Sequence, residues 1–309
     1  MATHTPPSFL SASLKVFDLS LGQMLWSRRT VFMALVVGGP VLIALAVRLA
    51  ESLGGDLKMN GRTIVGDAVF GMMVWWFFVR FTVPVLAVFY GTALMADEVE
   101  DKTLTYLFSR PIPRGSVLVG KYLAYLVCTG LVVLPSVMLV YFLMVPGRGG
   151  SVAATFPLLL ADLGILFLGL AVYGAVFAFV GAYFKRPVLL GLVFLFGWEP
   201  MVLVVPGYMK KFTVAHYLQA LVPHTMPADE GAASLLAGLF REAPSMTTSV
   251  GMLVVICAGF LWIATRTVER REYVLEQLGR IMMRPRPRGP AGEPTSGRDL
   301  RRIVSGGAS

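Results

Sequence analysis

Residues 96–121, ADEVEDKTLTYLFSRPIPRGSVLVGK, are the most charged internal stretch of the chain and lie between two long apolar runs. Four acids come first: Asp97, Glu98, Glu100 and Asp101. Leu104, Leu107 and Phe108 then recur at helical spacing, Arg110 follows, and Pro111, Ile112 and Pro113 break the chain before a new helix. Acids at the front of a short helix and a base at its back suit the macrodipole. The apolar positions make one narrow stripe. This pattern predicts a short helix that a membrane protein presents to a soluble partner.

The flanking runs set the class. Of 309 residues, 56% are hydrophobic and only 15% charged, too apolar for a soluble globule and in keeping with a multi-spanning membrane protein. A net charge of +9 raises nucleic acid as a partner, but the bases cluster where the apolar runs end, so none is expected. Cys128 and Cys257 lie inside apolar runs and make neither a disulfide pattern nor a metal spacing. The N-terminus lacks the basic-then-apolar order of a cleaved signal, and the first span is expected to double as an uncleaved anchor.

Six runs reach the ~20 residues that a helix needs to cross the hydrocarbon core. They cover roughly 30–50, 76–96, 120–145, 156–183, 187–206 and 246–266, within a transmembrane domain of 30–266. The expected fold is an all-α integral membrane protein with six transmembrane helices. Both termini are placed in the cytoplasm by the bases. That arrangement puts Lys15, Arg28, Arg29, Lys102, Arg110, Arg114, Lys121, Lys185, Arg186 and ten arginines from Arg266 onward inside. Only Arg48, Lys58, Arg62, Arg148, Lys210, Lys211 and Arg241 fall outside, and Arg80 lies within a span. The positive-inside rule therefore gives an N-in, C-in topology in the plasma (inner) membrane, with the opening stretch cytoplasmic.

Within residues 1–29, Leu10, Leu14, Phe17, Leu21 and Met24 form an amphipathic stripe expected to lie in the inner interface. The plainer alternative is the helical start of the first span. Trp75 and Trp76 are expected in an aromatic belt at the outer end of the second span. Residues 64–75 are apolar too, which leaves an earlier start or an interfacial helix open. In the outer segment 207–245, Val214, Tyr217, Leu218 and Leu221 make one helical stripe, and Leu235, Leu236, Leu239 and Phe240 another. Both are expected on, or dipping into, the outer leaflet. Residues 267–309 read as a helical extension followed by a disordered basic tail.

Glu199 is the sharpest single residue. It lies in FLFGWEPMVLVV inside the fifth span, where a charge costs on the order of 2.5–3.5 kcal/mol even on insertion scales. Gly197 and Pro200 flank it, predicting a break or kink. Counting ~1.5 Å per residue from the cytoplasmic ends, Glu199 lies about 18 Å in and Arg80 about 24 Å in. Two readings follow: a translocation path or gate, or a buried carboxylate that satisfies freed backbone groups or pairs with Arg80. Asp162 is expected to be hydrated near the outer interface. Gly174, Ala178 and Ala182 offer a small-residue packing face. Phe167, Phe177, Phe179, Phe194 and Phe196 suggest lipid contact ahead of a lipophilic path. Residues 115–122 nearly match a phosphate-binding loop, but Tyr122 replaces the needed Ser or Thr and no strand precedes it. No catalytic constellation and no metal cluster is expected, His4, His216 and His224 being scattered.

The central stretch resembles the ABC-2 family of ABC transporter permeases. Glu98, Glu100, Lys102, Thr103, Leu104, Leu107, Ser109, Pro111, Ile112, Arg114, Gly120 and Lys121 fit its pattern in order, with Lys102 where Gly is frequent. Trp198 and Glu199, followed by Val214 to Leu218, are similar to six-span members. The resemblance implies a coupling helix in 97–115, in which Glu98, Glu100, Thr103, Leu104, Leu107, Arg110 and Arg114 face a separate ABC ATPase. Two ATPase copies are implied, together with a second permease copy or paralogue and surrounding membrane lipids. ATP and Mg are held by the partner subunit, so this chain carries no cofactor and is not itself an enzyme. The expected function is that of a permease, exporting an undefined substrate. A membrane scaffold coupling an ATPase cycle to another process is the alternative, and a membrane-embedded enzyme comes third.

Overall fold

The structure, a computed structural model, describes residues 9–54, 58–59, 62–63, 66–95, 114–146, 151–204, 211, 213–222 and 244–282. The chain divides into two units, Met1–Glu269 and Arg270–Ser309. In the second unit the described residues, 270–282, are helical.

Helix α1 (Phe9–Leu25) precedes α2 (Arg28–Ser52). The corner between them is closed by the Ser27 and Thr30 hydroxyls. Both donate to the Met24 carbonyl, at 3.1 and 2.5 Å, and so satisfy a C-terminal group that α1 leaves open. A two-residue antiparallel ribbon follows, β1 (Lys58–Met59) with β2 (Arg62–Thr63), a small departure from the all-α expectation. Helix α3 runs from Gly66 to Met95 and is π-helical over Val74–Thr82 and Ala87–Gly91. Helices α4 (Arg114–Met144) and α5 (Val152–Tyr183) come next. Helix α6 comprises Pro187–Val193, a π-helical Phe194–Trp198 and Glu199–Val204. Short α7 (Val214–Leu221) and long α8 (Met246–Met282) complete the described elements.

Five of these helices, α2, α3, α4, α5 and the first part of α8, are long and apolar enough to cross a membrane. The fifth expected span is the shorter apolar α6. Helix α3 starts ten residues before the expected 76, because the apolar residues ahead of Trp75 join the same helix. The tryptophans consequently lie about 14 Å along it, at ~1.5 Å per residue, and not at its outer end. Helix α4 likewise starts at Arg114, ahead of the expected 120. Gly115 to Tyr122 therefore lie on a helix and form no phosphate loop.

The core forms where α3, α4 and α5 pack together, with Phe78, Leu86, Tyr125, Leu170 and Phe177 fully buried. Small residues set the approach distances. A Cβ at Gly181 of α5 would overlap the Thr92 carbonyl of α3, and one at Gly174 would overlap the Tyr125 ring of α4. Of the expected stripe on α5, Gly174 and Ala178 lie against Gly91 of α3 and Ala182 is buried, so it is a packing face. Helix α1 lies along α4 by the same means: a Cβ at Gly120 would stand 2.5 Å from the Ser13 carbonyl oxygen. Ala12, Ser13 and Ser20 are buried, while Leu10 and Leu14 remain exposed. The small face of α1 meets the protein and the expected stripe is split: Leu10 and Leu14 are left for the interface, whereas Leu21 and Met24 pack partly against the core.

Candidate intramembrane site

Two π-helical stretches share a cause legible in the sequence. In α3 the Val83 amide reaches back five residues to the Phe78 carbonyl, and Pro84 follows. In α6 the Glu199 amide reaches back five residues to Phe194, and Pro200 follows. Proline has no amide to donate, and its ring crowds the carbonyl four residues earlier. Widening the preceding turn removes that clash while keeping the backbone paired, which membrane depth demands. The helix at Glu199 is therefore widened and continuous, where a break or kink was expected.

These widened turns face a common cavity of about 240 Å³. Helix α3 lines it with Trp75, Trp76, Val79, Arg80, Phe81 and Pro84; α6 contributes Leu195, Phe196, Glu199 and Pro200. Tyr173 of α5 and Ala215, Leu218 and Gln219 of α7 close it. Phe81 and Phe196 approach across the two spans with ring centroids 6.5 Å apart.

Glu199 is 4% exposed. Its Oε1 accepts the Tyr173 hydroxyl at 2.5 Å and the Ala215 amide at 3.0 Å. Ala215 lies in the first turn of α7, whose own N-cap, Thr213, makes no side-chain capping bond. A carboxylate from another helix thus caps α7, satisfying an orphan amide and facing the positive end of its dipole. Val214, Tyr217, Leu218 and Leu221, the stripe read from the sequence, are all buried. Leu218 meets α5 at Gly169, where a Cβ would stand 3.3 Å from it.

Arg80 is half-buried and lines the same cavity. It is close enough to act electrostatically on Glu199 and Tyr173, but no ion pair within 4.0 Å joins Arg80 to Glu199 among the described residues. The short partners of the carboxylate are the tyrosine and the backbone.

Two more tyrosines tie α4 to the segment of α5 that carries Tyr173. Tyr122 donates to the Ala171 carbonyl at 2.7 Å and Tyr125 to the Leu170 carbonyl at 3.0 Å. Sequence reasoning missed all three tyrosines, Ala215 and Gln219. The available signal was the hydroxyl itself, because a tyrosine within an apolar span needs a partner.

Other expected site residues fare differently. Glu98, Glu100, Thr103, Leu104, Leu107 and Arg110 lie outside the described residues, as do His4, His224 and the 235–240 stripe. Arg114 begins α4, but its side chain is not described. Asp162, expected to be hydrated, is 1% exposed. Of the phenylalanine set, Phe196 alone lines the cavity; Phe177 is in the core and Phe167 on the exposed surface. Among the described residues no group of three or more His, Cys, Asp or Glu could hold a metal. Cys128 and Cys257 are free thiols.

Comparison with known proteins adds one match: the model of a family described as ABC-2 family transporter protein covers residues 22–273. No curated protein matches the chain.

Proposed function

This chain belongs to the ABC-2 transporter family, and from that premise we propose that it is the permease subunit of an ATP-driven exporter. A multi-pass membrane protein of this family moves its cargo with energy from elsewhere, and in our reading a separate ATPase subunit binds ATP and Mg. Two ATPase copies sit beneath two permeases, the second being another copy or a paralogue. The assembly lies in the plasma membrane with both permease termini in the cytoplasm.

Energy enters through 97–115. Leu104 and Leu107 supply the apolar contact with the ATPase, while Glu98, Glu100, Thr103, Arg110 and Arg114 surround it. Helix α4 begins at Arg114, so a displacement of this segment acts directly on a core helix. Tyr122 and Tyr125 join α4 to α5 next to Tyr173, which holds Glu199. The observation that carries this reading is the junction of α5, α6 and α7 on one buried carboxylate beside a cavity. Two states of such a junction, differing in affinity for the docked ATPase, give a population shift driven by ATP.

The test is co-purification with the cognate ATPase, followed by cargo uptake into inverted vesicles. Leu104→Asp or Leu107→Asp is expected to leave the protein inserted and to uncouple ATP turnover from transport. Coupling that survives both substitutions removes this segment from the mechanism.

A further inference from the structure

Arg80 and Glu199 line one cavity inside an apolar bundle, yet no ion pair within 4.0 Å joins them. Two opposite charges that line one cavity without pairing directly can each take a group of the opposite sign. Both groups have capacity to spare. The Tyr173 and Ala215 donors fall on Glu199 Oε1, and Oε2 makes no hydrogen bond among the described residues. A guanidinium carries five N–H donors, and among the described residues none from Arg80 is engaged in a hydrogen bond. The Gln219 amide adds a further donor and acceptor.

The charge balance narrows the ligand. One cation and one carboxylate leave the cavity neutral, and a net ion entering it would bring uncompensated charge to membrane depth. A ligand with its own paired charges keeps neutrality and uses both groups. The entrance indicates the source. Trp76, Phe81 and Phe196 line the cavity and are each about half exposed, on helix surfaces otherwise suited to lipid. At about 240 Å³ the cavity is smaller than the roughly 300–1,000 Å³ of sites that enclose a whole drug-sized ligand, which suits a headgroup whose chains remain in the bilayer.

We propose that this cavity holds the headgroup of a zwitterionic phospholipid with a primary ammonium, its phosphate on Arg80 and its ammonium on Glu199 Oε2. Arginine matches phosphate geometry, a primary ammonium has N–H donors for the carboxylate, and the Trp76 ring face favours a nearby cation. The assignment deepens the reading of this cavity as the intramembrane site. Its experiment uses neither ATPase nor cargo, so its failure is distinct from failure of the coupling scheme.

The full-length chain is reconstituted in nanodiscs of phosphatidylcholine containing equal minor fractions of phosphatidylethanolamine and phosphatidylglycerol. After release into detergent, retained lipids are identified by native mass spectrometry. Phosphatidylglycerol lacks the ammonium, and phosphatidylcholine lacks its N–H donors. One phosphatidylethanolamine per chain is expected, enriched on the order of tenfold over phosphatidylglycerol, as one charge-assisted hydrogen bond gives. Arg80→Gln, which removes the phosphate contact common to both lipids, should lower the amount of lipid retained, with Arg80→Lys keeping part of it, whereas Glu199→Gln, which removes the partner of the ammonium, should abolish the enrichment. Trp76→Ala, which removes a half-exposed ring at the entrance, should weaken it. Wild-type retention that mirrors the nanodisc composition, or that is equal for the two minor lipids, overturns the proposal. Displacement by soluble phosphoethanolamine at concentrations that leave the bilayer intact would transfer the site to a free zwitterion and overturn the lipid assignment.

Discussion

At Glu199, donors from two other helices meet a single carboxylate oxygen. A bond to a charged acceptor contributes about 1.5–3 kcal/mol and an ordinary one about 1 kcal/mol. Glu199→Gln keeps the shape and an acceptor but loses the charge that faces the α7 N-terminus. We expect it to destabilise the protein by about 1–2 kcal/mol. Tyr173→Phe, which removes one donor, should cost about 1–2 kcal/mol. Because both act on one oxygen, the double variant should be less destabilised than the sum, by about 0.5 kcal/mol or more. Thermal unfolding of the detergent-solubilised protein provides the cycle; strict additivity would show that the hydroxyl and the carboxylate act independently. The acid was conspicuous in the sequence because charge is scarce in apolar runs. Its partners were not, since the 26 residues separating it from Tyr173 carry no local signal of contact.

Among the elements, the π-helical stretches Val74–Thr82 of α3 and Phe194–Trp198 of α6 owe their widening to prolines, and α1 owes its seat to a glycine. Pro84→Ala restores a backbone donor, so the widened turn should tighten. Slower amide exchange across 78–84, measured by hydrogen–deuterium exchange, is the expected result, and unchanged exchange would remove proline as the cause. Gly120→Ala places a methyl group 2.5 Å from the Ser13 carbonyl oxygen and 2.9 Å from Val16 Cβ. Overpacking of this kind costs about 1–3 kcal/mol. Gly22→Ala, with nothing within 4 Å of its Cβ, is the matched control and should be neutral or stabilising by up to about 1 kcal/mol. A melting temperature lowered in the first variant and not in the second supports the close α1–α4 crossing. The helices themselves were readable from apolar run length. Their starts were less so, because hydropathy does not distinguish a span from the apolar turns that extend it, as at Gly66 and Arg114.

For the molecule as a whole, ABC-2 family membrane proteins generally pair with an ABC ATPase, and this chain leaves large apolar surfaces exposed. Trp262, Val254 and Val255 of α8 and Leu35 and Leu42 of α2 are exposed in the single chain and available to lipid or to a second permease. Topology is the first property to measure. Single cysteines replacing Ala2 and Ser309, in a background with Cys128 and Cys257 changed to Ala, should react with an impermeant maleimide only from the cytoplasmic side. Labelling of either from outside would reverse the orientation read from the basic residues.

Composition and periodicity by themselves determined that this is a helical membrane protein, roughly where its apolar helices lie and which acid is out of place among them. Those properties are local: a turn of helix needs only its own residues, and insertion responds to apolar length and flanking charge. Pro200 marked an irregularity, read as a break or kink and found to be a widened turn, while Pro84 was not singled out, and their common cavity could not be inferred from either alone. Only the tertiary structure decided that Glu199 caps α7, that Tyr173 shares its oxygen and that Arg80 lines the same cavity without pairing with it. Each of these depends on which helix faces which. That choice is set by small residues such as Gly174 and Gly181, whose contacts lie far away in the sequence.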